Sequence, residues 1–87
     1  MKVKLSKKEI KKAWDIIARL NPEAVMLLND RALMARDAAR AQKWSETDYP
    51  LGCINGMLTG LSIAGAITGD EQRLLGAYYT NKALGIQ

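Results

Sequence analysis

The sequence PLGCINGMLTGLSIA, residues 50–64, contains no charged residue and repeats two kinds of side chain at helical spacing. Small residues recur at every fourth position, and large apolar residues recur at intervals of three and four. Because such intervals are typical of an α-helix, we expect a helix from about Pro50 to Ala64 that Gly65 ends. The small residues are Gly52, Gly56, Gly60 and Ala64, and the large ones are Leu51, Ile54, Leu58 and Leu61.

Three glycines within one helix carry a conformational cost. Glycine is less favourable than alanine by about 1 kcal/mol at each position in a helix interior. The glycine stripe, defined as Gly52, Gly56, Gly60 and Ala64, lets another backbone approach closely. We expect it to pack on an alanine-rich helix of the same chain. The alternatives are self-association of this helix across a symmetry axis and a groove for a ligand or foreign helix.

Start signals place two further helices before this stretch. Ser6-Lys7-Lys8-Glu9 has the spacing of a capping box and predicts helix 1 over about residues 7–20. Asn21-Pro22 has the pattern of an N-cap followed by proline in the first turn, and it predicts helix 2. This helix is expected to end near Trp44, either as one helix or as two collinear helices with a restart at Asn29-Asp30.

A polar loop and a fourth helix complete the predicted order. Residues 45–50 are polar and contain an X-Pro bond, so they are expected to form the main loop before helix 3. Thr68-Gly69-Asp70-Glu71 repeats the capping-box spacing and starts helix 4, which Gly85 can end in a left-handed conformation.

Apolar residues at helical spacing are expected to form one core, so the sequence predicts an all-α fold: a small antiparallel bundle of about four helices. We expect a single domain, residues 1–87, with residues 1–5 as a basic N-terminal arm. The expected core positions outside helix 3 are Ile10, Ala13, Trp14, Ile17 and Leu20 in helix 1, Val25, Leu28, Ala32, Ala35 and Ala39 with an adjoining stripe of Leu27, Met34, Ala38 and Ala41 in helix 2, and Leu74, Leu75, Tyr78, Tyr79 and Ala83 in helix 4.

Positive charge is concentrated at the N-terminus. The net charge is +4, and residues 1–12 hold six lysines against one glutamate, whereas residues 13–87 hold seven basic and eight acidic residues. Cations at the positive end of a helix dipole are unfavourable, which makes an anion contact a candidate role, although lysine-rich termini commonly serve only to solubilise a chain, and we favour that interpretation. A second basic group on helix 2 can follow a phosphate backbone or form surface ion pairs. The candidate anion contacts are Lys4, Lys7, Lys8 and Lys11 in the first group and Arg36, Arg40 and Lys43 in the second.

Residues suited to catalysis or metal binding are scarce. The chain has no histidine and one cysteine, Cys53, which lies in an apolar run and is expected to be a buried, inert thiol. Carboxylates occur at helix starts rather than as an inward-facing pair, so we predict no enzyme activity, no metal and no cofactor. Without a disulfide framework or a signal peptide, a cytoplasmic location is expected. Glycine and polar residues keep the hydropathy of residues 51–67 low, so no membrane association is expected.

Aromatic residues supply the candidate contacts with a partner, because they are enriched at the energetic centres of interfaces. A small core gains from association, which favours a homo-oligomer. The sequence favours a non-enzymatic helical module that binds another protein. The alternative is a nucleic-acid- or nucleotide-binding protein that uses the basic N-terminal helix. The candidate partner contacts are Trp44, Tyr49, Tyr78 and Tyr79, and the alternative is that these aromatics close the core.

The stretch AGAITGDEQRLL, residues 64–75, resembles the turn of short helical-hairpin modules such as SHOCT domains, in which a glycine and an Ile-Thr pair precede two acidic residues and a helix. It is also similar to small accessory proteins of bacteriophages and mobile elements. The resemblance implies a protein that binds a host protein, as a phage-type inhibitor of a host defence system, or that sequesters a nucleotide signal, in either case without catalysis.

Overall fold

The computed structural model describes residues 4–86, and within them the chain forms four α-helices and one short 3₁₀ helix but no strand. In chain order these are α1 (Lys7–Arg19), α2 (Pro22–Arg40), the 3₁₀ helix (Trp44–Thr47), α3 (Asp48–Ile63) and α4 (Gly69–Leu84). The predicted small all-α bundle is confirmed. α4 contacts each of the other three α-helices, and α2 packs on both α3 and α4.

Two capping boxes fix the starts of α1 and α4, as predicted. The Ser6 hydroxyl accepts a hydrogen bond from the N–H of Glu9 at 3.1 Å, and the Glu9 carboxylate accepts one from the N–H of Ser6 at 2.9 Å. Thr68 and Glu71 form the same two bonds at 3.1 and 2.9 Å. Each box satisfies amides that the first turn of a helix leaves without an intrahelical partner.

α2 starts as predicted and continues without a restart at Asn29. The Asn21 side chain accepts a hydrogen bond from the N–H of Glu23 at 2.8 Å, and Pro22 occupies the first turn. Proline is favourable there because its fixed φ is already helical and its missing N–H removes no hydrogen bond. Of the two alternatives, a single long helix is the one observed, and α2 has 19 residues.

The end of α2 differs from the prediction, because the helix stops at Arg40 and not near Trp44. Gln42 has a φ of 60°, and the N–H of Lys43 donates to the carbonyl oxygen of Ala38 at 2.8 Å. This left-handed closure is usually supplied by glycine or asparagine. Since glutamine stands at this position, no residue in the sequence marked the end of the helix.

The segment predicted as a polar loop is largely helical. The 3₁₀ helix leads directly into α3, which begins at Asp48 rather than at Pro50. Thr47 is buried, and its hydroxyl donates to the carbonyl oxygen of Trp44 at 2.6 Å. This bond satisfies a buried hydroxyl locally, and it explains how polar residues can form a compact turn.

Glycine ends α3 and α4 in the left-handed conformation that the sequence predicts. Gly65 has a φ of 80° and Gly85 a φ of 75°. After Gly85, the N–H of Ile86 donates to the carbonyl oxygen of Asn81 at 2.8 Å. The corresponding bond after Gly65 also forms, so both ends have the closure that glycine allows.

The core is assembled from all four α-helices and the segment between α3 and α4. Most of the predicted core positions are buried or half-buried. Four predicted positions lie at the surface instead: Trp14 in α1, Leu27 and Met34 in α2, and Ala41 just after α2. The apolar core residues are Ala13, Ile16, Leu20, Leu28, Ala32, Ala35, Ile54, Leu58, Ile67, Leu75, Tyr79 and Ala83.

The glycine stripe does not pack on α2, so this prediction is wrong. Gly52, Gly56 and Gly60 are exposed, and a β-carbon placed on any of them would meet no neighbouring atom within 4 Å. α3 turns its opposite face, with Ile54 and Leu58, toward the core. Large aliphatic side chains remove more apolar area from water than glycine does, and this difference decides which uncharged face is buried.

Two further predictions concern the N-terminal arm and the membrane. Residues 1–3 of the predicted arm lie outside the described residues, whereas Lys4 is exposed and Leu5 is buried. Between residues 4 and 86, no helix combines the length and the apolar character needed to cross a bilayer.

Candidate interaction surface

The most apolar exposed surface of the described chain lies on α2. Four of its large side chains are exposed, and Met26, the most accessible of them, keeps 71% of its surface in water. Single exposed apolar residues are common on soluble proteins, but a group on one helix face is not. We name this surface the α2 outer face, which consists of Glu23, Met26, Leu27, Asp30, Leu33, Met34 and Asp37.

Three carboxylates run along this face. Glu23, Asp30 and Asp37 follow one another at seven-residue spacing, so they lie in one row on the helix. Asp30 forms an ion pair with Arg31 at 2.6 Å, and Arg31 also donates to the Met34 sulfur at 3.5 Å. Among residues 4–86, Glu23 and Asp37 have no ion-pair partner. The α2 outer face is therefore both apolar and acidic.

α2 exposes these residues on the side opposite its inner side, which consists of Leu28 and two alanines. Ala32 and Ala35 are fully buried, and they allow neighbouring helices to approach α2 closely. The large residues Met26 and Leu33 then lie on the side of the helix that no other helix covers. Their exposure follows from the helical period, which separates them from the buried alanines.

A second exposed surface is the outer side of α3, which carries the glycine stripe. Tyr49 and Ile63 flank the glycines on the same side, and their side chains are 66% and 83% exposed. Ala64 follows α3 and is also exposed. Three glycines, which have no side chain, lie between Tyr49 and Ile63. The surface therefore offers fewer apolar contacts than the α2 outer face.

The four aromatic candidates occupy different environments. Trp44 is 57% exposed and Tyr49 is also exposed, as contact residues would be. Tyr78 is half-buried, and its hydroxyl accepts a hydrogen bond from the indole N–H of Trp14 at 3.0 Å. Tyr79 is completely buried, so its prediction as a partner contact is wrong.

Tyr79 serves the core. Its ring packs edge-on against Tyr78, with centroids 5.2 Å apart and an interplanar angle of 81°. Its hydroxyl is buried and has no hydrogen-bond partner among the described residues. Burial, with a smaller contribution from the neighbouring Tyr78, raises the pKa of Tyr79 to about 12. The helical spacing does not show which of Tyr78 and Tyr79 faces the core, because Tyr78 follows Leu74 and Tyr79 follows Leu75 at the same four-residue interval.

The predicted anion contacts do not form one site. The first group, Lys4, Lys7, Lys8 and Lys11, is fully exposed on α1 and the residues before it. In the second group, Lys43 lies 3.9 Å from the Glu46 carboxylate. Arg36 and Arg40 instead line a cleft with Trp44 and Lys82. Arg36, Arg40 and Lys43 have the spacing of neighbours on one helix face, but α2 ends at Arg40. Lys43 therefore does not share the site of the two arginines.

Groups that could hold a metal ion are not gathered within residues 4–86. No three carboxylate or thiol groups there are placed to hold a metal ion, and Cys53 is half-buried. No family model, curated protein or solved structure matches this chain.

The sequence contains apolar residues that indicate the α2 outer face, but we interpreted two of them as part of the core. Leu27 and Met34 were placed on a stripe that adjoins the core, while Met26 and Leu33 carried no prediction. A helix that is apolar around most of its circumference has more apolar surface than one small core can cover. Such an excess indicates that some apolar side chains of the helix remain exposed, although the sequence does not show on which side of the helix they lie.

Proposed function

We propose that this chain is a helical protein-interaction module that captures a basic amphipathic helix on the α2 outer face. The observation that carries the proposal is the exposure of Met26, Leu27, Leu33 and Met34 together on one helix. Contiguous exposed apolar residues of this kind mark interaction sites. Methionine adapts its shape to different partners, since its side chain is unbranched and polarizable.

The shape of the surface favours a helix as the partner. α2 has 19 residues, so it is about 28 Å long at 1.5 Å per residue. Its exposed anchors form two pairs, Met26–Leu27 and Leu33–Met34, that are seven residues apart, and a seven-residue apolar repeat is the one by which two helices interlock their side chains. A peptide that binds by strand addition would need an unpaired sheet edge, and residues 4–86 contain no strand.

The charge of the surface favours a basic partner. Glu23, Asp30 and Asp37 form a single row between the apolar residues, and only Asp30 is paired. A lysine or arginine opposite Glu23 and Asp37 would neutralise charges that otherwise repel one another. Complementary charge of this type accelerates association and excludes acidic competitors.

A peptide titration tests the proposal directly. The probe is a synthetic amphipathic helix with leucine on one face and lysine beside it, and the control peptide carries glutamate in place of each lysine. We expect the basic peptide alone to bind, as measured by fluorescence anisotropy. Met26→Ser combined with Leu33→Ser should weaken binding by about tenfold or more, because exposed anchors at an interface centre carry much of its affinity.

Ile63→Ser provides the matched control. Ile63 is even more exposed than Met26, but it lies on α3. The control variant should therefore bind the basic peptide as the parent chain does. Equal binding of the acidic peptide, or an equal loss of affinity in Ile63→Ser, would contradict the proposal.

The identity of the partner is a further part of the proposal. The resemblance of residues 64–75 to phage accessory proteins supports a host protein as the target and inhibition as the outcome. A homo-oligomer is proposed through α3, because the outer side of that helix brings no like charges together when two copies meet. The acidic row on α2 disfavours symmetric pairing of the α2 outer face with itself.

A further inference from the structure

A cleft of about 490 Å³ lies where the C-terminal ends of α2 and α4 meet the 3₁₀ helix. Three cationic side chains line it, Arg36, Arg40 and Lys82, together with the indole of Trp44 and apolar atoms. No carboxylate from residues 4–86 lines the cleft. The volume falls within the range of roughly 300–1,000 Å³ that small-molecule sites occupy.

The three cations have no ion-pair partner among the described residues. Each acidic residue that forms an ion pair does so with a cation other than Arg36, Arg40 and Lys82. Like charges around one cleft repel one another, and their repulsion is relieved when an anion binds between them. The cleft therefore favours an anionic ligand.

Arg36 and Arg40 are suited to a phosphate. They are separated by one helical turn, so their side chains leave α2 on the same side. Guanidinium groups donate paired hydrogen bonds to phosphate oxygens in a fixed planar geometry. Lys82 adds a third charge from α4, across the cleft.

The end of α4 does not prevent anion binding there. Carbonyl groups at a helix C-terminus repel anions when they lack partners. Here the carbonyl oxygen of Asn81 accepts the N–H of Ile86 at 2.8 Å, and that of Lys82 accepts the N–H of Gly85 at 3.4 Å. These bonds reduce the negative potential that α4 presents to the cleft.

Trp44 supplies a planar apolar surface beside the cations. Its side chain is 57% exposed and lines the cleft. The bond from the Thr47 hydroxyl to the Trp44 carbonyl oxygen, 2.6 Å long, fixes the backbone that carries it. Nucleic-acid bases stack on exposed aromatic rings of this kind regardless of their sequence.

We propose that this cleft binds a nucleotide, with the phosphate between Arg36, Arg40 and Lys82 and the base stacked on Trp44. The same chemistry occurs in a free nucleotide and in a single strand of nucleic acid. Lys82 also borders a second depression, which contains Trp14 and Tyr78. A single strand could continue past Lys82 onto these rings, whereas a free mononucleotide would contact the cleft alone.

The test uses the intact chain with Trp14→Phe, so that Trp44 is the only tryptophan and its fluorescence reports on the cleft. The probes are adenosine monophosphate, adenosine, inorganic phosphate and a short oligoadenylate. We expect the monophosphate to quench Trp44 with higher affinity than adenosine or phosphate. Arg40→Gln should weaken its affinity by about tenfold, the loss that removal of one charge-assisted hydrogen bond produces.

Lys43→Gln is the matched control, because Lys43 follows Arg40 closely in sequence but faces Glu46. It should leave the affinity unchanged, as should the Met26→Ser and Leu33→Ser pair on the α2 outer face. Trp44→Ala and Trp44→Phe are compared by calorimetry, and the phenylalanine variant should retain more affinity because it keeps an aromatic surface.

The oligoadenylate identifies the source of the nucleotide. Tighter binding than the monophosphate in the parent chain, reduced by Trp14→Ala, supports a single strand that extends onto the second depression. Equal affinity for both probes supports a free nucleotide. Absence of binding at millimolar monophosphate, or an equal loss in Arg40→Gln and Lys43→Gln, overturns the proposal, and either result leaves the peptide-binding function of the α2 outer face untouched.

Discussion

The indole N–H of Trp14 donates a hydrogen bond to the Tyr78 hydroxyl at 3.0 Å, and this bond joins the middle of α1 to α4. A second polar link lies nearer the end of α1, where Arg19 meets the Glu71 carboxylate at 2.6 Å. Both links are solvent-accessible, and both lie beside the apolar contacts of Ala13 and Ile16. α1 is therefore positioned on α4 by polar contacts at its surface as well as by its buried side.

We predict an interaction energy between Trp14 and Tyr78 in a double-mutant cycle. Trp14→Phe and Tyr78→Phe each remove one partner of the bond and keep an aromatic ring. The coupling measured by urea unfolding should be about 0.5–1.5 kcal/mol, the usual net contribution of such a bond. Arg19→Gln should add to Tyr78→Phe without coupling, and a coupling near zero in the Trp14 cycle would show that the bond contributes nothing.

The exposed glycines of α3 should be replaceable with a gain in stability. Gly52→Ala, Gly56→Ala and Gly60→Ala each add a methyl group where the structure leaves open space. Each should raise the free energy of unfolding by about 0.5–1 kcal/mol, because alanine has the better helix propensity.

Gly85→Ala is the control with the opposite expected effect, because the left-handed φ of 75° at this residue is strained for alanine. It should lower stability. If the glycine stripe is the contact in a homo-oligomer, light scattering will show that Gly56→Ala reduces the oligomer while its monomer becomes more stable. Loss of stability in all three stripe variants would contradict the open space found around them.

Tyr79→Phe should increase stability. The hydroxyl of Tyr79 is buried and has no described partner, so it has lost its hydration without a compensating bond. Removing it should raise the free energy of unfolding by about 1 kcal/mol, within the cost known for unpaired buried polar groups. Tyr49→Phe, at an exposed position, should change stability little.

Tyr79 also makes stability depend on alkaline pH. Its pKa is raised by burial to about 12 in the folded chain, from the ordinary value of 10.0. The folded state therefore holds a proton that the unfolded state releases, so stability falls as the pH rises from about 10 to about 12. Thermal unfolding across this range should show a smaller loss in Tyr79→Phe than in the parent chain or in Tyr49→Phe.

The capping boxes should make the free energy of unfolding depend on pH in the acidic range. Hydrogen bonds from the Ser6 backbone and hydroxyl lower the pKa of Glu9 below its ordinary value of 4.5. The pKa of Glu71 is lowered by the backbone bond from Thr68 and, to a smaller extent, by Arg19. The stability that these bonds provide is fully present above pH 4.5 and is lost as the pH falls through the lowered values.

Glu71→Gln tests this dependence, because glutamine can still accept the capping bond but does not titrate. Urea unfolding at a series of pH values should show a shallower acid dependence in this variant than in the parent chain. An identical dependence in the two chains would mean that the Glu71 carboxylate is not linked to folding.

Local sequence signals were sufficient for most of the helix boundaries. The Ser6 and Thr68 boxes, Pro22 in the first turn of α2 and the left-handed Gly85 all depend on neighbours within one helical turn. Such bonds form whatever the rest of the chain does, so their residue types predict them. The end of α2 escaped prediction because Gln42 adopts a backbone conformation that glutamine rarely takes.

The surfaces could not be predicted in the same way. α3 has two faces without charge, and only packing decides that Ile54 is inside and Gly56 is outside. The cleft joins Arg36 to Lys82, which are distant in sequence and meet only when α2 packs on α4. Periodicity within one helix describes which residues share a side of it, but not which neighbour covers that side.

The alanine-rich inner side of α2 has a consequence for how this chain can change over generations. Ala32 and Ala35 are buried in the bundle, whereas Met26 and Leu33 keep half or more of their surface in water. Substitutions at the two outer positions therefore change the exposed surface of the helix without disturbing how the helix is held in the bundle. If this surface binds a partner as proposed, single mutations there can change the binding preference while the architecture is inherited intact.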